Sequence, residues 1–334
     1  MTTLAVSQIP EPPSLATALN PLRFTRYRLR IRPTMPLEMP YWERGGILRG
    51  ALGLSFRQLV CHDMSLNCRM CPVRLTCPYP AVFEPSPPPR SERLSTFQDL
   101  PRPFVVEPPR DPKATFQRGE RVEFGLTVVG RATHYLPYFV ATFRSLTDSG
   151  LGPRRARFVF EEMVVRGPSD ERTVFRGGDT TVSNLESPVQ TADILQAGDE
   201  ARDAVTLRFL TPTELKDAGR VITRPGFGPL VRRLRDRACA LAAFFGDAPL
   251  EMDFRGIGDL AESVRLLDDR TRRVEVPRQS SKTGQRHDIG GFIGDALFEG
   301  AAIGALMPLL RLGEVLHVGR HAAFGNGWFE IANG

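Results

Sequence analysis

The residues best suited to chemistry lie close to the C-terminus, in the segment 317–331, HVGRHAAFGNGWFEI. Histidine is the side chain that most readily exchanges a proton near neutral pH. Glycine lets a backbone pass close to a bulky group, and the N–H groups it exposes suit an anionic oxygen. The spacing therefore predicts a phosphate-contacting loop with an acid–base group beside it, although a plain helix-to-strand turn would need glycines too. The residues concerned are His317, Gly319, Arg320, His321, Gly325 and Gly327.

A second candidate site is a cluster of cysteines spaced C-x6-C-x2-C-x5-C. In a chain without a secretory signal, clustered cysteines indicate a metal site rather than disulfides. Four thiolates close a tetrahedral structural zinc site, and an iron–sulfur cluster uses the same ligands. Zinc is the first choice, with iron–sulfur and free thiols as alternatives, whereas Cys239 lies alone in an apolar helical stretch and is assigned to the core. The predicted metal ligands are Cys61, Cys68, Cys71 and Cys77.

The basic residues are almost all arginine. Lysine occurs only at Lys113, Lys216 and Lys282, so 41 of the 44 basic residues are arginine, and the net charge is +6. Arginine suits phosphate and stacks on bases, which favours a nucleic-acid partner, but codon bias would produce the same ratio. Four arginines alternate along one predicted strand and so share one face, either a solvated surface or a nucleic-acid track. They are Arg26, Arg28, Arg30 and Arg32.

The length of 334 residues fits two domains or one large one, and a hydrophobic content of 41% is enough for ordinary cores. No apolar run is long enough to span a membrane, and the N-terminus lacks the features of a secretory signal, so we expect a cytoplasmic protein. The hydrophobic periodicity predicts β-α-β-β-α-β twice, hence an α+β chain of two tandem ferredoxin-like (RRM-like) domains. The predicted domains are 20–166, with a Cys-rich insertion at 61–80, and 203–334, joined by a linker or long loop at 167–202.

These residues resemble the CRISPR precursor-RNA processing endoribonucleases of the RAMP superfamily. The resemblance covers most of the chain and is strongest in its C-terminal glycine-rich segment. The segments that carry it are LLRLGEVLHVGRHAAFGNGWFEI at 309–331, GGFIGDALFEG at 290–300, VGRATHYLPYFVATFRSLTDSGLGPRRARF at 129–158, and CRMCPVRLTCPYPAVFEP at 68–85, which resembles the cysteine insertion of one branch of the family.

The resemblance implies an enzyme of antiviral defence that binds each repeat of a CRISPR transcript and cuts it once to give mature crRNA. In this family the cleavage needs no metal. The 2′-hydroxyl attacks the adjacent phosphorus, and the products are a 2′,3′-cyclic phosphate and a 5′-hydroxyl. The implied partners are repeat RNA and crRNA, with other CRISPR effector subunits as a further expectation.

The sequence departs from the family where the catalytic histidine usually lies, because the segment 35–50, MPLEMPYWERGGILRG, has none. Tyr41 and Arg49 are the candidates there for proton transfer or phosphate contact. We rank His317 first and His321 second as catalytic residues. The predicted RNA contacts are Arg26, Arg28, Arg30, Lys282, Arg286, His287, Gly319, Arg320, Gly325 and Gly327.

Two other functions remain open. A non-catalytic RAMP subunit that holds guide RNA is favoured by the missing histidine, whereas the glycine-rich loop favours the nuclease. A zinc-containing DNA-binding regulator fits the cysteines and the charge. However, the sequence offers no clear helix-turn-helix.

Overall fold

The computed structural model shows two antiparallel sheets, each covered by helices, one in each half of the chain. No helix in the part of the chain described is long and apolar enough to cross a membrane. The structure describes residues 14–86, 100–167, 170–183, 189–195, 202–279 and 286–332.

The first sheet has the order β2-β3-β1-β4-β5, with antiparallel neighbours throughout. Without its edge strand β5, this is the order of a ferredoxin-like unit, in agreement with the predicted pattern. Strand β1 is long because its apolar residues alternate with arginines, so that one face is buried and the other is polar. The elements are β1 (Arg23–Pro33), α1 (Arg44–Val60), β2 (Phe104–Glu107), β3 (Val122–Val129), α2 (Leu136–Ser149), β4 (Phe158–Arg166) and β5 (Glu171–Arg176).

The second sheet repeats that order as β7-β8-β6-β9. Helices α3 and α5 make the two crossovers, and α4 follows α3 before the sheet resumes. The sequence patterns had not predicted α4. The elements are β6 (Ala204–Thr213), α3 (Phe227–Phe245), α4 (Phe254–Glu262), β7 (Arg265–Val274), β8 (Gly291–Glu299), α5 (Ile303–Leu316) and β9 (Phe329–Ala332).

Short elements complete the description. Two of them lie in the 167–202 segment, which with β5 contains two strands and a helix, so its prediction as a linker or loop was wrong there. The short helices and 3-10 turns are Leu15–Leu19, Cys68–Met70, Pro78–Phe83, Gly130–Tyr135, Thr191–Leu195 and Ala322–Phe324. The short paired strands are Leu37–Glu38 with Thr115–Phe116, Leu215–Asp217 with Arg220–Ile222, Pro277–Gln279 with Arg286–Asp288, and Val189–Gln190 with the start of β1.

Each half has its own core, and the cores meet between the two sheets. Phe24 and Val129 of the first sheet pack in the second core, and Ala323 from the C-terminal loop packs in the first. The short helices Leu15–Leu19 and Thr191–Leu195 also pack against the second core. The halves are therefore joined by apolar packing, with the glycine-rich C-terminal loop at the junction.

Candidate functional site

The glycine-rich loop is held by close backbone contacts with other parts of the protein. Gly319, Gly325 and Gly327 all have positive φ, at 77°, 82° and 71°. A Cβ on Gly325 would lie 2.5 Å from the carbonyl oxygen of Val106 in β2, and one on Gly319 would lie 2.3 Å from that of Glu214. Such distances exclude a side chain, so glycine is required by the fold itself. The predicted role of these glycines in RNA binding stays a prediction.

The same loop packs on the start of helix α1. A Cβ added to Gly45 would lie 1.7 Å from the carbonyl oxygen of Phe324. This contact brings the first turn of α1 against the 3-10 turn Ala322–Phe324. The glycine-rich loop thus joins the two halves where it contacts α1. A cavity lies beside this loop.

That cavity, here called the arginine pocket, has a volume of about 550 Å³ and lies between residues 100–102 and the second half of the chain. Its lining contains six cationic side chains and only two carboxylates, Glu214 and Asp236. Both carboxylates are paired with arginines of the same pocket. A guanidinium nitrogen of Arg320 lies 2.7 Å from a carboxylate oxygen of Glu214, and one of Arg233 lies 3.7 Å from a carboxylate oxygen of Asp236. The cations are Arg102, Lys216, Arg233, Arg237, Arg278 and Arg320.

Three arginines of this pocket have no carboxylate within 4.0 Å among the described residues: Arg102, Arg237 and Arg278. Arg102 and Arg237 each donate Nε to a backbone carbonyl, that of Phe83 at 3.0 Å and that of Leu316 at 2.9 Å. The buried Nη2 of Arg237 has no hydrogen-bond partner in the described chain. Burial, with Arg102 nearby, lowers the pKa of Arg237 to about 10, so its guanidinium remains charged at neutral pH. Such an unbalanced cluster of cations favours a bound anion.

Phe324 holds two arginines at the edge of this pocket. The guanidinium carbons of Arg49 and Arg278 lie 4.7 and 4.5 Å from the centroid of its ring. The Nε of Arg49 is buried and has no partner among the described residues. Cation–π contact with Phe324 thus positions arginines of both halves where mutual repulsion would otherwise separate them.

His321 lines the arginine pocket. It adopts a left-handed conformation, with φ of 63°, and its ring meets the Phe324 ring edge-on at 5.9 Å. Burial, with Arg320 beside it, lowers the pKa of His321 to about 4. The imidazole is therefore neutral at pH 7 and able to accept a proton.

His317, ranked first from the sequence, lies outside the pocket and has no exposed surface. Its Nδ1 is 3.3 Å from the carbonyl oxygen of Asn326, and its ring stacks on Trp328 at 5.5 Å. Burial, with Arg237 nearby, lowers the pKa of His317 to about 3. Its φ and ψ of 57° and 166° are rarely adopted by residues other than glycine. These observations favour a structural role, and catalysis by His317 stays a prediction that its burial counts against.

The other predicted site residues are spread over three places. Tyr41 is half-buried in the turn before α1, where the Arg44 guanidinium lies 4.7 Å from its ring centroid. Arg286 is exposed on the short hairpin that also carries Arg278. Lys282 and the side chain of His287 lie outside the described residues, so their predicted RNA contacts are untested.

The arginines of β1 share one face, as predicted, but each is paired with glutamate. The ladder of ion pairs neutralises this face, which fits a solvated sheet surface better than an RNA track. The predicted RNA contacts of Arg26, Arg28 and Arg30 remain untested. The pairs join Arg26 to Glu107, Arg28 to Glu171, Arg30 to Glu123 and Glu162, and Arg32 to Glu161.

The four clustered cysteines line one small cavity, of about 20 Å³. Cys61 follows the last turn of α1 and donates its thiol to the carbonyl oxygen of Asp63 at 3.1 Å. Cys77 precedes the helix Pro78–Phe83. In the described part of the chain, however, no three histidine, cysteine or acidic side chains are arranged to hold a metal. The four cysteines thus lie close together, but their side chains are not positioned as the ligands of a metal ion. Zinc binding stays a prediction.

Comparison with known proteins shows what each half of the chain resembles. A family model described as CRISPR-associated endoribonuclease Cas6 matches residues 207–329, which include most of β6, the glycine-rich loop and His321. The second half of the chain is thus similar to Cas6 endoribonucleases. A second family model, described as an N-terminal domain, matches residues 22–187. An uncharacterized protein of Archaeoglobus fulgidus is 26% identical over 292 residues, covering 86% of this chain and 91% of that protein.

Solved structures share this Cas6-type fold. A Cas6 product complex superposes with a TM-score of 0.53 and 16% identity, covering 92% of this chain and 100% of that one. Cas6 of Thermus thermophilus gives 0.50 and 16%, covering 93% and 99%. A partial Cas6-RT-Cas1–Cas2 complex gives 0.56 and 10%, covering 93% of this chain and 46% of that chain. At these identities the likeness is one of fold.

Sequence reasoning missed the arginines that make the pocket. Arg102, Arg237 and Arg278 come from a loop, a helix and a hairpin, and none lies in a motif. The high arginine content of the sequence was the one indication of such a site. It could not distinguish these three arginines from those that are paired with carboxylates.

Proposed function

We propose that this Cas6-type chain is an endoribonuclease that binds the repeat of precursor crRNA in the arginine pocket and cleaves it there. The observation that carries the proposal is a group of arginines with no carboxylate partner among the described residues, Arg102, Arg237 and Arg278, beside a neutral histidine, His321. An RNA phosphodiester supplies the anion that this pocket lacks. The family match and the fold support RNA as its source.

The pocket contains the groups that a metal-independent transesterification requires. Neutral His321 takes the proton of the 2′-hydroxyl, whose oxygen then attacks the adjacent phosphorus. The arginines stabilise the negative charge that builds on the phosphoryl oxygens, and they need no reorganisation to do so because they are already placed. The departing 5′-oxygen takes a proton from water, and the products are a 2′,3′-cyclic phosphate and a 5′-hydroxyl.

Phosphate binding would offset the part of the low basicity of His321 that comes from neighbouring arginines. An imidazole with a pKa of about 4 is a weak base. A phosphodiester between Arg320 and Arg278 would offset their charge and raise the pKa of His321. We therefore rank His321 above His317, with Tyr41 third because it does not line the pocket.

A second candidate function is that of a non-catalytic RAMP subunit that holds guide RNA. The burial of His317 favours it, because only one histidine, among those whose side chains are described, then remains in the pocket. Both functions require RNA in the pocket and differ in whether the bound RNA is cut.

The test is cleavage of end-labelled repeat RNA by the purified protein in EDTA, with a matched RNA carrying 2′-deoxyribose 5′ of the cut. The nuclease should cut the first RNA to a 2′,3′-cyclic phosphate and leave the second intact while binding both equally. A requirement for magnesium, or cleavage of the deoxy-substituted RNA, contradicts the proposed chemistry. Tight binding without cleavage of either RNA favours the non-catalytic subunit.

A further inference from the structure

A second cavity, here called the helix groove, runs along helix α1 next to the arginine pocket. It has a volume of about 580 Å³, within the usual range for small-molecule sites. One wall is a face of α1, the opposite wall is the turn after α2, and Arg278 lies at the end that it shares with the arginine pocket.

The α1 wall of this groove is flat because glycines line it. Gly46 and Gly50 lie one helical turn apart and face the groove, and a Cβ on either would meet nothing within 4 Å. Leu54 continues the row and is 48% exposed. Unlike Gly45, these glycines are not needed for contact with the protein itself. An open apolar strip of this kind suits the face of a planar group.

Polar groups border the strip. Ser55 lines the groove, and its hydroxyl lies just beneath the surface, buried and with no hydrogen-bond partner among the described residues. A buried hydroxyl without a partner is costly, so a ligand that bonds to it gains free energy. Gln58 adds an amide at one end, and Glu43 adds a carboxylate at the start of α1.

These groups match the edge of a nucleobase rather than a phosphate. Carboxylate and amide side chains pair with exocyclic amino and ring groups of bases. The arginine pocket has six cations and two carboxylates, whereas the helix groove has only Arg155 and Arg278 opposite Glu43. A nucleotide whose phosphate contacts Arg278 from the arginine pocket could place its base in the groove.

We propose that the helix groove binds one unpaired nucleobase of the RNA next to the phosphate held in the arginine pocket, and that Ser55, Gln58 and Glu43 read its edge. This inference rests on the proposed RNA-binding function, to which it adds a site that selects one base of the RNA.

The test fills the groove without disturbing the fold. Gly50→Phe places a ring on the open strip, whereas Gly50→Ala adds one methyl group and removes a helix-interior glycine, so it should be neutral or stabilising. Each protein is titrated in EDTA with uncleavable 2′-deoxy repeat RNA in which single nucleotides are made abasic in turn. Unfolding temperatures confirm that both variants are folded.

Wild type and Gly50→Ala should lose about tenfold in affinity at one abasic position, the cost of one base contact. Gly50→Phe should lose a similar factor with the intact RNA and nothing further at that position. The base site is overturned if Gly50→Phe binds every RNA as Gly50→Ala does, a result that leaves RNA binding in the arginine pocket intact. If the wild type binds no repeat RNA, the proposed function itself fails.

Discussion

At the scale of single residues, the two histidines of the C-terminal loop differ in surroundings although they are four residues apart. His321 lines the arginine pocket, and His317 is enclosed by Asn326 and Trp328. The sequence ranked His317 above His321 as the catalytic residue on the basis of residue type and spacing alone. The two histidines differ in burial, which depends on how the loop folds back on β6 and which the sequence did not reveal.

The first prediction separates the roles of these histidines. His321→Ala should lower the single-turnover cleavage rate by roughly 10²–10⁴, with RNA affinity little changed, because it removes a proton acceptor. His317→Gln should lower the unfolding temperature and leave the rate of the folded fraction near that of wild type. A reversed result, with slow cleavage only in His317→Gln, would return the catalytic role to His317.

The second prediction concerns pH. Burial lowers the pKa of His317 from its usual 6.5 to about 3, so the unfolded chain takes up a proton on this ring at a higher pH than the folded chain does. The stability from neutral His317 is present above pH 6.5 and is lost as the pH falls towards 3. The stability advantage of wild type over His317→Gln in urea unfolding should therefore be about 1–2 kcal/mol smaller at pH 5 than at pH 8. A constant difference would contradict the buried, neutral state.

At the scale of elements, periodicity predicted most helices and strands of both halves, because alternating or helically spaced apolar residues mark which face is buried. It failed where that signal was weak. Strand β5 has the sequence ERTVFR, which resembles a polar loop, and the short helix α4 carries two glycines. Strand β5 forms by pairing with the preceding strand β4, and α4 packs against the preceding helix α3, so tertiary contacts rather than a strong local pattern specify both elements.

The third prediction tests the contact between α1 and the glycine-rich loop. Gly45→Ala should destabilise the protein by about 1–3 kcal/mol, since its Cβ has no room beside Phe324. Gly46→Ala, one position along the same helix, should stabilise it by about 0.5–1 kcal/mol because its Cβ meets open space. Urea unfolding measures both, and equal effects of the two substitutions would exclude the close contact.

The fourth prediction concerns the cysteine segment. If the cysteines around the 20 Å³ cavity close on zinc, elemental analysis should find one zinc per chain in wild type and none in Cys71→Ser. The variant should also melt at a lower temperature, because structural zinc contributes about 10–16 kcal/mol of apparent binding free energy in small peptides. Cys239→Ser is the matched control and should keep its zinc, since Cys239 lies elsewhere, 3.9 Å from the sulfur of Met252. Wild type without zinc, or with iron and a brown colour, would reject zinc.

At the scale of the whole molecule, the doubled β-α-β-β-α-β pattern predicted two ferredoxin-like sheets. The pattern gave no information on how the two sheets pack against each other. The meeting point depends on backbone contacts at Gly45 and Gly325, and the arginine pocket arises only once residues 100–102 reach the second half. Arginines from separate segments come together there, and hydrophobic periodicity does not record such convergence.

The molecule therefore contains two classes of arginine. Those on the face of β1 are neutralised by glutamates, whereas Arg102 and Arg278 have no such partner among the described residues. Only unpaired cations should release counterions from RNA phosphates, and each such contact contributes about 0.7–0.9 to the slope of log affinity against log salt.

The most direct measurement is that salt slope for repeat RNA, taken above 0.1 M salt so that distant charges are screened over about 10 Å. Arg102→Ala with Arg278→Ala should reduce the slope by about 0.7–0.9 for each arginine removed. The matched double variant, Arg28→Ala with Arg30→Ala, should keep the wild-type slope. An unchanged slope in the first variant, or a reduced slope in the second alone, would contradict the arginine pocket as the RNA site.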